Sequence, residues 1–494
     1  MARASSPFLR GGNLKDSLGT TLNGLLQQVP PEELKELKRR VREEGLARGV
    51  VYEDDDGRPQ PTPILLRPRV LGGNQRNYLH QICRVMEGAW AKLWPLWRDD
   101  PAARALLPMT PREEKWLAEL GGGGSGSSGG SSGGGAGSSA DVLFGRWDAT
   151  SDFGSKDWLK STQFFEYNPI GAGGTYLAPA VDEIILKTVV PALRKHAPTL
   201  LLEMNDDPRR VLLEVLADHA RSLKLRRFNV ALCQYKGLQG GVEEFPYNVR
   251  FFRELGVSCW HVDPRELRVR DGELWYTEDG VDHPIDLVYR DHEINDLAAQ
   301  EEAGVDMSGI RHALRTGRAI SSLAGEFDHK SAFQVFTEER FGAAFTAEER
   351  RVFRAHVPWT RLIAEGRTAG PDGGEIDLLE WLSAHREELL LKPNRSYGGA
   401  GILLGRDCSE RAWSQAIERG VKNPGTWVVQ GFRPLAEKDF PVIDEEGNVG
   451  LAEYFTVLGL YASEQRLGVL GRGSRRRVVN VAQKGGLVSV LRLL

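Results

Sequence analysis

The sequence predicts a mixed α/β (α+β) protein, and three observations carry that expectation. Strand-like and helix-like segments alternate between residues 201 and 324, the order that builds a parallel sheet with crossover helices. After residue 140, short apolar runs alternate with period two or stay apolar throughout, as in FFEYNP, LLLKP and WVVQG. Before residue 120 the apolar residues recur at helical spacing instead.

Taken in order, PPEELKELKRRVREEGLARG opens on Pro30 and Pro31, which suit a helix start, and carries Leu34, Leu37 and Val41 on one face. From 75 to about 120, Tyr78, Ile82, Met86, Trp90 and Leu93 form a second stripe, so residues 1–120 read as a helical N-terminal region. Residues 121–140 contain only Gly, Ser and Ala. Such a segment cannot bury enough apolar surface to order itself. It looks like an engineered linker, with a natural low-complexity insert as the alternative, and its typical reach is about 25 Å.

Strands are expected at VLFGRWDATSD and FFEYNP, and a helix over 181–197. RRFNVALCQ, EEFPYNVRFFRELGV and SCWHVDP read as strand, helix and strand. DGELWYTEDG reads as a hairpin with turns at Asp271-Gly272 and Asp279-Gly280, and PIDLVYRD as a further strand. EELLLKPNRSYGGAGILLG reads as strand, glycine loop and strand. TWVVQGF, RVVNVA and LVSVLRLL complete the set. The organisation expected is 141–200, a parallel α/β unit at 201–324, and a final segment at 325–494.

The 494 residues suffice for about two to four domains. A net charge of −4 gives no whole-chain attraction for nucleic acid or membrane. No apolar run approaches the roughly 18–20 residues needed to cross a bilayer. The start, MARASSPFLRGGNLKD, lacks the apolar core of a secretory leader. Cys83, Cys233, Cys259 and Cys408 are scattered, with no CxxC pair, which fits a reducing, cytoplasmic setting. No HExxH or Cys/His cluster suggests zinc.

Four constellations could carry chemistry. Arg146 and Asp148 are two apart on one expected strand, and Glu166 and Asn168 are two apart on the next, so each pair shares a face. Neighbouring strands would pool two carboxylates, a carboxamide and a guanidinium, a set suited to Mg²⁺ beside an anion; a plain salt bridge and a solvated face are the bland alternatives. Lys392 ends an apolar strand before Gly398, Gly399 and Gly401, whose N–H groups can approach phosphate oxygens, although the spacing is neither the Walker nor the dinucleotide pattern. Lys330 opens a helix in GEFDHKSAF, where a surface lysine is the common case. Arg472, Arg475, Arg476 and Arg477 precede Asn480 in GRGSRRRVVNVAQKGG; an RNA patch and an anionic substrate are equal readings.

The order of these motifs is what unites them. R-x-D, E-x-N, an α/β unit, a helix-opening Lys, K-P with a glycine loop, WVVQ and a terminal R…N…GG resemble the ATP-grasp ligases, notably glutathionylspermidine synthetase and its circularly permuted relatives, over roughly 141–494. The resemblance implies ATP and Mg²⁺. It implies Asp148, Glu166 and Asn168 as metal ligands, and Lys330, Lys392, Ser396, Gly398, Gly399 and Gly401 around the phosphates. Gln430 would lie on the adenine-contacting segment, and Arg146, with Arg472 or Arg475, would stabilise the acyl phosphate. It further implies an ADP-forming carboxylate–amine ligase, acting on small-molecule or peptide carboxylates and amines, with no membrane partner and none in nucleic acid. Residues 1–120 match no part of that pattern and would shape the acceptor pocket or mediate homo-oligomerisation. A non-catalytic relative, a phosphotransferase on the same fold and a nucleic-acid binder are the alternatives.

Overall fold

The computed structural model describes residues 22–53, 58–121, 142–236, 244–396, 398–444, 448–479 and 485–494. The Gly/Ser segment falls outside them, save for its first residue. Among them a largely antiparallel sheet dominates, in the order Ile64–Leu71, Gly486–Leu493, Leu467–Ser474, Val449–Ala462, Arg146–Thr150 and Gln163–Asn168. Ala436–Ile443 pairs beside Val449–Ala462, and Leu202–Met204 beside Gly486–Leu493.

The N-terminal region is therefore not purely helical. Ile64–Leu71 joins the large sheet, parallel to Gly486–Leu493. Arg67-Pro68-Arg69 breaks the apolar pattern that would have revealed it. Proline cannot donate to a ladder, and here it sits between the paired residues Leu65 and Arg69, where the register shifts. Of the expected stripe, Ile82, Met86, Trp90 and Leu93 are buried, while Tyr78 is only partly buried and its neighbour Leu79 takes the core position. The Trp90 ring packs 4.9 Å from Tyr167 and 5.5 Å from Trp147, on the back of the Arg146–Thr150 and Gln163–Asn168 strands.

The α/β unit holds four parallel strands, ordered Ala319–Ile320, Leu287–Arg290, Asn229–Cys233 and Ser258–Val262. Its hairpin turns at Asp271-Gly272 and Asp279-Gly280, and all four residues have positive φ, as a two-residue type I′ turn requires. The helix expected over 181–197 runs Leu177–His196.

A second four-stranded sheet is antiparallel, ordered Thr360–Leu362, Trp427–Gly431, Leu389–Pro393 and Leu403–Leu404. Alternation divides its faces. Leu389, Leu391 and Val429 pack with Leu382, Trp413 and Ile417 of the helices Leu378–Ala384 and Glu410–Lys422. Leu390, Lys392 and Gln430 face the opposite way, into a cavity shared with the large sheet. The strand expected at RVVNVA does not form over its described part: residues 475–478 are bends, and Asn480 lies outside the described residues.

Candidate active site

The two strands at the edge of the large sheet build one side of the site. Arg146 lies opposite Asn168, and Asp148 opposite Glu166, in antiparallel register. Residues directly opposite in such a ladder share a face. All four side chains therefore project together, while Trp147 and Tyr167 turn to the back and stack with centroids 4.0 Å apart. A carboxylate and a carboxamide occur among aromatic residues because the strand has a core face and a cavity face.

Ion pairs organise the cavity face. Arg146 donates Nε to Asp148 Oδ1 at 2.7 Å and Nη2 to Oδ2 at 3.2 Å, and its Nη1 donates to Gly173 O at 2.6 Å. Arg472 Nη2 lies 2.7 Å from Asp148 Oδ1. Burial by itself would raise the Asp148 carboxyl, but the two guanidinium charges override it and hold it down to about 2. Lys330 Nζ lies 3.0 Å from Glu166 Oε1 and donates to Ser396 O at 2.9 Å. Asn168 spends Nδ2 on Arg146 O at 3.3 Å, which leaves its oxygen as the atom suited to a cation.

The second sheet supplies Lys392. Its Nζ donates to Phe165 O at 2.8 Å and to Gln430 Oε1 at 3.0 Å. Burial pushes the ammonium down to about 7, against the pull of Glu166. Gln430 passes its Nε2 to Thr360 Oγ1 at 2.9 Å. Both ends of that amide are engaged within the protein, so Gln430 positions Lys392.

The cavity has a volume of about 730 Å³ and is lined by Arg146, Asp148, Glu166, Asn168, Lys392, Gly398, Gly399, Gln430 and Arg472, among others. Lys330 and Ser396 stand just behind this lining, joined to it through Glu166. Gly401 is placed differently: a Cβ there would meet Pro393 Cγ at 2.9 Å, so its positive φ serves a close backbone approach. Arg475 does not join the cluster. Its guanidinium stacks 5.7 Å from the Tyr454 ring, because the strand ends at Ser474 and the next residues bend away. Of the two expected arginines, Arg472 is the one brought to Asp148.

Several lining residues escape sequence reasoning. Tyr52 and Pro63 come from the N-terminal region, and Gly173, Gly174 and Glu244 from scattered loops; Arg477, of the arginine cluster noted in the sequence, also lines the cavity. Glu244 is buried, and burial raises its carboxyl against donation from the backbone N–H groups of Gly174, Tyr176 and Leu177. The GAGG run at 171–174, two residues beyond E-x-N, was the available signal for the loop that Glu244 holds.

Cations outnumber anions on this surface: Arg146, Lys392, Arg433, Arg472 and Arg477 line the cavity with Asp148, Glu166 and Glu244, and Lys330 pairs with Glu166 from behind, an arrangement that suits a polyanion. Among the described residues no three His, Cys, Asp or Glu side chains converge as a metal site. Two carboxylates and an amide oxygen on one face nevertheless fit a hard divalent cation, which keeps positions for water and phosphate oxygens.

No family model matches the chain. An uncharacterized protein of Mycobacterium leprae is 24% identical over 198 residues, 37% of this chain and 31% of that protein. Uncharacterized proteins of Mycobacterium bovis and Mycobacterium tuberculosis are each 25% identical over 268 residues, 49% of this chain and 43% of theirs. The matches thus span less than half the length of these curated relatives. A glutathione synthetase-like effector from Globodera pallida superposes with a TM-score of 0.61 at 11% sequence identity, covering 93% of this chain and 97% of the effector. The likeness shows the fold, which is of the ATP-grasp type.

Proposed function

We propose that this ATP-grasp-type chain is an ATP-dependent, ADP-forming carboxylate–amine ligase working through an acyl phosphate. The observation that carries the proposal is the convergence of Arg146, Asp148, Glu166, Asn168, Arg472 and Lys392 on one cavity between two sheets, beside Gly398 and Gly399. On this reading residues 141–200 and 325–494 supply the nucleotide site, and 201–324 form the adjoining α/β unit.

Phosphoryl transfer depends on positioning and charge neutralisation more than on covalent help from the protein. Lys392 and Lys330 would hold the polyphosphate, with the N–H groups of Gly398 and Gly399 at its flank. The apolar side chains of Phe165, Leu390, Leu404 and Phe432 offer a slot for the base. A substrate carboxylate would displace ADP from the γ-phosphate, and an amine would then displace phosphate from the acyl carbon. Arg146 and Arg472, fixed by Asp148, would stabilise the charge of the tetrahedral stage. Glu166, Asn168 and Asp148 would hold Mg²⁺, which when bound neutralises charge on the phosphate oxygens.

The test is calorimetric titration with ATP, with and without Mg²⁺, followed by a screen of carboxylate–amine pairs for ADP release. Saturable Mg²⁺-dependent binding and an amide product are expected. ADP formation with a stable phosphorylated product would instead assign a phosphotransferase. Absence of nucleotide binding would overturn the proposal.

A further inference from the structure

Arg477 lines the cavity beside Gly398, Gly399 and Val478, and the reading above leaves it without a role. Its Nη1 donates to Asp407 Oδ1 at 2.9 Å and to Oδ2 at 3.2 Å, and its guanidinium carbon lies 5.6 Å from the Phe455 ring centroid. Asp407 closes the 3₁₀ turn Gly405–Asp407, directly after Leu403–Leu404, the strand that ends the glycine loop. The loop and the arginine segment also touch: a Cβ added at Gly399 would come 2.8 Å from Val478 Cγ1. Neither neighbouring arginine is placed like this one. Arg475 stacks on Tyr454, Arg476 follows the Ser474 cap, and neither lines the cavity.

The Asp407–Arg477 pair is weak by its setting, with side chains 44% and 40% exposed. Water and salt screen such a pair. A polyphosphate carries several charges and accepts from a guanidinium in a bidentate manner, so it outcompetes a single exposed carboxylate.

We propose that Arg477 is an additional phosphate-binding residue for the nucleotide, held by Asp407 in the free protein and handed to the polyphosphate on binding. The inference rests on the nucleotide reading of the cavity. In this arrangement Asp407 is a competitor of the ligand. Removing it frees the guanidinium, whereas removing Arg477 takes a contact from the β- and γ-phosphates that adenosine monophosphate lacks.

The experiment is calorimetric titration of ATP with Mg²⁺, and separately of AMP, into the wild type, Arg477→Met, Asp407→Asn and the double variant. Arg477→Met is expected to weaken ATP about tenfold and leave AMP essentially unchanged. Asp407→Asn is expected to tighten ATP by up to about fivefold, a gain absent from the double variant. Equal ATP affinity in the wild type and Arg477→Met overturns the exchange and leaves the nucleotide site standing. Equal losses for ATP and AMP, or a loss of ATP binding in Asp407→Asn, show that the pair merely holds the loop, and also overturn it. A wild type that binds no ATP overturns the nucleotide reading and the exchange together.

Discussion

Lys392 and Gln430 face each other diagonally across two antiparallel strands, with Nζ donating to Oε1 at 3.0 Å. The bond keeps a buried amine aimed into the cavity while it is only half protonated near neutrality.

That state predicts a pH dependence. The Lys392 ammonium is lowered from 10.5 to about 7, with burial as the main cause. Between those values the unfolded chain binds the extra proton, so this group's contribution to stability grows as pH rises through that window. Polyphosphate binding reverses the preference and recharges the amine. Nucleotide affinity should therefore fall as pH rises above about 7, by at most about tenfold per pH unit. Titrations at pH 8.5 in two buffers of different ionisation enthalpy should show uptake of nearly one proton, lost in Lys392→Met. Heats independent of the buffer would refute the assignment.

Glu166→Gln tests the metal ligands. The amide keeps the shape of the side chain but loses the charge that faces Lys330 at 3.0 Å. Mg²⁺-dependent turnover should drop by about 100-fold or more, with a stability change of about 1 kcal/mol. Full activity in the variant would remove Glu166 from the metal site.

Gly459 makes room for Arg146. It lies opposite Asp148 on the neighbouring strand, and a Cβ there would meet Arg146 Cδ at 2.5 Å. In Gly459→Ala the flexible side chain yields, so denaturation should show a loss of about 1–3 kcal/mol. Displacement of Arg146 should lower kcat more than that cost suggests. A normal kcat would show that the exact placement of Arg146 is unimportant.

Arg395 anchors the root of the glycine loop. It reaches Glu113 at 2.6 Å, Glu293 at 2.8 Å and Asp328 at 3.0 Å, and Glu113 is fully buried. Arg395→Ala leaves three carboxylates without their shared cation and should cost about 3–5 kcal/mol by chemical denaturation. A loss below about 1 kcal/mol would show that the three acidic side chains do not depend on the shared cation.

The strands that bear the site were legible because their two faces differ so sharply. Trp147 and Tyr167 alternate with Arg146, Asp148, Glu166 and Asn168; period two puts each polar pair on one face, and the antiparallel register of the two strands joins the pairs. The order of strand and helix likewise exposed the parallel unit. The choice among arginines was not legible, since GRGSRRR does not mark Ser474 as the end of the strand, and only that end separates Arg472 from Arg475. Tyr52 and Glu244 were hidden for another reason: they reach the cavity from distant segments, and nothing local marks a residue that tertiary packing recruits.

The parallel pairing of Ile64–Leu71 with Gly486–Leu493 has a consequence for biosynthesis. The earlier strand emerges from the ribosome long before its partner exists, so that edge of the sheet stays open through most of translation. Contacts of such wide sequence separation form late and leave an unpaired edge exposed meanwhile. Cotranslational folding can mature the central α/β unit first, but the large sheet that carries Asp148 and Arg472 closes only once the last strand has been made.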